Sequence, residues 1–172
     1  MGRDSQLSGG APAAGPSCSG DLLSAPVGAR FGVPLHAATV GLPVGLWVGA
    51  VALDLASWIA PEPYTFPRAA YWVVVLGLVA CVPVGLVGLV DLIRGPRGTP
   101  AWRAGLAHSL TADVAAVAFL VSFMLRRRTD FISAVSPIVL AVSLFGAVLV
   151  VGAVVTGSRL SYRFGPLRGP RT

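Results

Sequence analysis

The apolar positions of the chain fall into four long blocks, over about residues 36–59, 69–93, 104–125 and 134–157, each nearly free of charge. About 20 helical residues cross the hydrocarbon core of a bilayer, and every block reaches that length. None carries the charged stripe that a helix of a water-soluble bundle turns to solvent. The pattern predicts an all-α integral membrane protein, a bundle of four transmembrane helices running up and down. The breaks between blocks, APEPYTFPR, RGPRGTPAWR and RRRTDFIS, are rich in Pro, Gly and Arg and read as turns.

Two segments lie outside this 35–157 membrane domain. Residues 1–34 are dominated by Gly, Ala, Ser and Pro and have no apolar stretch suited to a signal peptide, so they read as a disordered tail. Residues 158–172 read as a basic tail. Cys18 lacks the apolar stretch that precedes a lipoprotein cysteine and reads as a bystander thiol. With Cys81 it makes two cysteines in all, too few for a disulfide framework or a Cys-based metal site.

Within the blocks, small and polar residues mark faces. GLPVGLWVG spaces Gly41, Gly45 and Gly49 as a small-xxx-small stripe, the pattern that lets membrane helices approach closely. Pro43 is tolerable where neighbouring helices re-satisfy the freed carbonyl. At about 100° per residue, the roughly opposite face carries His36, Pro43, Trp47, Ala50 and Asp54. Because His36 and Asp54 sit near opposite ends, the cheaper arrangement lets both reach the membrane interfaces.

The second block aligns Gly77, Cys81, Val84, Gly88 and Asp91, with Gly77 and Gly88 as packing positions. On the third, His108, Thr111, Ala115 and Ser122 share a face. Asp113 lies about 140° away, with Ser109 and Ala116, and is the deepest acid. No long internal repeat is evident.

Composition sharpens the membrane reading: 55% of residues are hydrophobic and only 12% charged. The formal net charge is +6, and all 13 basic residues are arginine. In a soluble domain that excess would suggest nucleic acid. Here the arginines flank apolar spans, so the expectation is membrane orientation and no nucleic-acid partner. An up-down bundle places nine arginines on one side: Arg3, Arg30, Arg94, Arg97, Arg103, Arg159, Arg163, Arg168 and Arg171. The other side holds four, Arg68 and the triplet Arg126, Arg127 and Arg128. Basic residues favour the cytoplasmic side, so both termini are expected there, with the triplet as the counterweight.

No phosphate loop, HExxH, GxSxG, nucleophile–base pair or paired carboxylate is present, so no enzyme of the ordinary kind is read. Ionisable residues inside spans cost about 2.5–3.5 kcal/mol on insertion scales, which makes each one a candidate. His36, Asp91 and His108 fall near the same ends of their spans and could converge at one depth. One reading makes His36 and His108 the axial ligands of a b-type haem. Another makes Asp113 and Asp91, with the histidines, a proton or small-solute path. A third gives His36, Asp91 and His108 to a metal ion.

The plainer reading makes these residues helix glue and end caps. Asp91 then pairs with Arg94, Arg97 or a histidine, Asp54 stays at the outer interface, and Ser109 or Thr111 satisfies Asp113. The chain is then a small structural or accessory component of the lipid bilayer. A second copy or another membrane protein would hold it through the glycine stripe.

The phrases GVPLHAATVGLPVGLWVGAVALDL, GLVDL, RAGLAHSLTADVAAVAF and VVTGSRLSYRFG together resemble the bacterial transmembrane domain-of-unknown-function family 2231, over residues from about 32 to 166. His36, Pro43, Gly45, Trp47, Asp54, Asp91 and His108 fall on its signature positions. Ala37 replaces the proline that usually follows the first histidine, and Val33 stands where the family has an earlier one. The resemblance implies a four-helix, multi-pass protein of the bacterial inner membrane. Some relatives look fused to Rieske-type iron–sulfur domains, which implies electron transfer; this chain has no such module.

Overall fold

In a computed structural model of the chain, the described residues are 35–62 and 64–164, with side chains described to residue 160. They contain helices and no strand: α1 (Leu35–Thr39), α2 (Gly41–Ala56), α3 (Thr65–Arg94), α4 (Pro100–Arg126) and α5 (Pro137–Phe164). Four stretches are long and apolar enough to cross a membrane: Leu35–Ala56, Thr65–Arg94, Pro100–Arg126 and Pro137–Leu160. The expected spans are therefore present, with shifted ends. The fourth helix runs on to Phe164, through the start of the segment read as a basic tail. The tail expected over 1–34, with Cys18, lies outside the described residues.

Local chemistry explains the ends. The Thr99 side chain accepts a hydrogen bond from the Trp102 amide at 3.1 Å, and Pro100 occupies the first turn, where its missing N–H is not needed. Gly98 supplies the positive φ of 78° that turns the chain into α4. Gly95 ends α3 in an extended conformation, followed by Pro96.

Packing joins the helices as two antiparallel hairpins, α1–α2 with α3 and α4 with α5. The hairpins meet along α3–α4 and α2–α5, while α2 and α4 lie diagonally and reach each other through side chains. The core is Trp47, Ala50, Val51, Ala70, Val74, Ala115, Phe119 and Val150. Outward positions such as Leu42, Leu76, Leu86, Val117 and Val148 are exposed and apolar, as a lipid-facing surface requires.

The polar face read on the first span is the buried one, since Pro43, Trp47, Ala50 and Asp54 all turn inward. The glycine stripe is not. A Cβ added at Gly41, Gly45 or Gly49 would meet nothing within 4 Å, so these three do not pack helices within the chain. Gly77 and Gly88 do, against Trp47 and His36. The face that enters the core is the one carrying Trp47 and the Asp54 carboxylate.

Candidate functional site

Three pairs of side chains cross the diagonal between the first and third spans, one above another. At one end, the rings of His36 and His108 stand with centroids 6.1 Å apart and planes at 89°. Eleven residues further along each helix, Trp47 and Phe119 stack at 4.7 Å and 8°. Seven residues beyond those, Asp54 and Arg126 form an ion pair.

Each histidine is held in the same way. His36 Nδ1 lies 3.1 Å from the Val84 carbonyl and His108 Nδ1 lies 2.9 Å from the Ala153 carbonyl. A carbonyl only accepts, so both Nδ1 atoms carry the proton and donate it. In a neutral imidazole held this way Nε2 keeps the lone pair, the tautomer that metal-ligating histidines adopt. Four residues past each carbonyl, glycines let the rings seat: a Cβ on Gly88 would lie 2.9 Å from His36, and one on Gly157 2.9 Å from His108. Nearby, the Thr39 hydroxyl donates to the Leu35 carbonyl and the Thr111 hydroxyl to the Ala107 carbonyl, again at equivalent places.

These correspondences amount to an internal repeat, which the sequence had not suggested. His36, Trp47 and Asp54 answer to His108, Phe119 and Arg126, while Gly77, Val84 and Gly88 answer to Gly146, Ala153 and Gly157. Only contact positions are repeated. Lipid-facing positions accept any apolar residue, so the similarity is too thin to show as a sequence repeat.

The histidine pair lies between two cavities. The inner one, about 290 Å³, is lined by both histidines, Pro43, Val44, Trp47, Cys81, Gly85, Ala112, Asp113, Ala116 and Val154 among others. The outer one, about 260 Å³, is bounded by the same histidines with Asp91, Thr99, Trp102, Ser109 and Leu160. Among the described residues no group of three or more His, Cys, Asp or Glu side chains could hold a metal ion, so His36, Asp91 and His108 do not form the three-donor site. Asp91 is half-buried in the outer cavity, whereas Asp113 is exposed at the edge of the inner one. Thr111 directs its hydroxyl to the Ala107 carbonyl at 2.9 Å, and among the described residues no hydrogen bond links Ser109 or Thr111 to Asp113.

The opposite end overturns the expectation for Asp54. It does not reach an interface; it is 0% exposed and pairs with Arg126, itself 2% exposed. The contact is bidentate, Nη1 to Oδ1 at 2.8 Å and Nη2 to Oδ2. The guanidinium also donates to Ser122 Oγ at 3.2 Å and Ser143 Oγ at 3.1 Å. Beside it, the Ser57 hydroxyl donates to the Asp54 carbonyl at 2.6 Å and accepts from the Val135 amide at 3.0 Å. A charge taken out of water this far persists only when paired and hydrogen-bonded. Sequence reading had given Arg126 only to the loop triplet; its spacing from His108, equal to that of Asp54 from His36, was the available signal.

Residues 32–167 match a family described as predicted membrane protein (DUF2231), as the quoted phrases led us to expect. No curated protein and no solved structure matches the chain.

Proposed function

The chain belongs to the DUF2231 family of predicted membrane proteins, and from that premise we propose that it holds one b-type haem between His36 and His108 and transfers electrons within the membrane. The ring pair carries this reading. A metal–imidazole bond is about 2 Å, with the ring centre about 1 Å beyond the nitrogen, so two imidazoles on opposite sides of one metal put their centres about 6 Å apart. The 6.1 Å separation agrees with that spacing, and both rings have their Nδ1–H engaged.

The surroundings support it. The two cavities share the histidines in their linings, and their volumes of about 290 and 260 Å³ together fall within the roughly 300–1,000 Å³ usual for a cofactor site. Gly85, Ala112 and Ala116 leave room beside the rings, and the stacked pair Trp47 and Phe119 separates this space from the ion pair. A bound haem would supply a one-electron couple; the chain would orient it and exclude water.

The finer location belongs to the same proposal: a bacterial inner membrane, with both termini in the cytoplasm. Withdrawal of Arg126 into the bundle supports it, because the opposing side then shows three arginines rather than four. A second reading is an accessory component joined to a second copy or a membrane-protein partner through Gly41, Gly45 and Gly49, and the open space at those glycines favours it.

An absorption spectrum of the full chain, expressed with ample haem and purified in mild detergent, tests the first reading before and after dithionite. A Soret band with sharp reduced α and β peaks is expected, absent from the His36→Ala, His108→Ala variant. A flat wild-type spectrum would leave the accessory reading.

A further inference from the structure

We propose that Asp113 binds a proton when the haem site takes up an electron, so that reduction there is proton-coupled; the inference rests on the haem reading above. The lining of the cavities is the starting point. Most of it obeys the internal repeat, with Val40 and Ala112, Pro43 and Ala115, and Val44 and Ala116 in corresponding places. Three ionisable groups break the correspondence: Asp113 stands where the other hairpin has Gly41, Cys81 where it has Val150, and Asp91 where it has Leu160.

All three lie on α3 and α4, the helices that pack directly across the hairpin boundary. Asp91 lines the outer cavity with Ser109, and Asp113 and Cys81 line the inner one. This boundary therefore carries polar groups at successive depths from the helix ends inward. The α2–α5 side offers the inner cavity Pro43, Val44, Trp47, Val150, Val154 and Ser158, of which none is an acid or a base that titrates in the ordinary pH range.

Asp113 is the deepest of these acids, and among the described residues no hydrogen bond or salt bridge holds its carboxylate. The titratable groups facing the same cavity are Cys81 from α3, within electrostatic reach of Asp113, His36 from α1, and His108 on its own helix. α2 and α5 present none to the cavity, and Asp54 and Arg126 are committed to each other at the far end.

A carboxylate gains affinity for protons when negative charge is added near it. The step balances simply. With haem bound, one electron from a reduced one-electron mediator dye would lower the charge of the site by one, and one proton from water, passing Asp91 and Ser109, would convert the Asp113 carboxylate to the acid. Reoxidation releases both.

The test is a mediated redox titration of the full-length haem-loaded protein in mild detergent at a series of pH values. The wild-type midpoint potential is expected to fall as pH rises, approaching 59 mV per unit, the one-electron equivalent of a tenfold change in proton concentration. Asp113→Asn should keep the haem spectrum and lose the slope. Asp113→Glu and Cys81→Ser should retain it. A wild-type potential that ignores pH, or an Asp113→Asn potential that still follows it, overturns the inference while the haem reading stands. A wild-type protein without a Soret band overturns both.

Discussion

Asp54 and Arg126 each lie 18 residues beyond a histidine, His36 and His108, and together they close the far end of the bundle with a buried bidentate ion pair. The two hairpins thus face each other through two like side chains at one end and two opposite charges at the other. An ion pair between diagonal helices fixes their relative height, because sliding one helix by a turn, about 5.4 Å, would strand both charges.

Removing one partner should therefore be severe. Arg126→Ala or Asp54→Ala is expected to destabilise the folded bundle by about 3–5 kcal/mol, since each leaves an uncompensated buried charge. The double variant should lose much less than the sum of the two. Thermal unfolding in detergent, arranged as a double-mutant cycle, measures the difference; additive losses would contradict the pairing.

Glycines divide into two classes by what a side chain would meet. At Gly146 a Cβ would sit 2.8 Å from Phe119, and at Gly77 it would collide with the Trp47 indole, whereas Gly45 faces open space. Gly146→Val and Gly77→Val should each destabilise the chain by about 1–3 kcal/mol through overpacking. Gly45→Leu should leave the isolated chain unchanged in thermal stability. If it also shifts the oligomeric state measured by size-exclusion light scattering, the Gly41–Gly49 stripe is a contact between copies.

Much of this architecture was legible because a helical span must be a long apolar run whose backbone groups are satisfied within the helix. Pattern alone placed the four spans, and helical periodicity put His36, Trp47 and Asp54 on one face. What it lacked was the partner of that face. Periodicity is a property of one helix, so it could not tell that Asp54 points at Arg126 rather than at an interface, or that the glycines face outward. It also hid Gly146 and Gly157, whose importance lies wholly in the aromatic rings seated on them.

Those ring seats bear on the proposed haem. A Cβ at Gly157 would meet the Cε1–Nδ1 edge of His108 at 2.9 and 3.2 Å, beside the hydrogen bond to the Ala153 carbonyl. Gly157→Val should push the ring off that carbonyl and lower haem occupancy at least tenfold, a change of about 1.4 kcal/mol in binding. Gly152→Val, one turn away in open space, should bind haem as the wild type does. The ratio of Soret to protein absorbance compares them.

Orientation follows from which arginines remain in the loops. Arg127 and Arg128 are exposed at the end of α4, but Arg126 is held by Asp54 and contributes nothing to the loop. The positive-inside bias is then stronger than the triplet suggests, and under the proposed orientation the 127–136 connection lies outside the cytoplasm. A single cysteine introduced at exposed Ser133, with Cys18 and Cys81 changed to Ser, should react with a membrane-impermeant maleimide in right-side-out vesicles. A cysteine at Arg97, in the α3–α4 connection, should react only after the vesicles are opened. The reverse pattern would turn the bundle over and place the basic connection between α3 and α4, and the outer cavity with it, on the opposite side of the membrane.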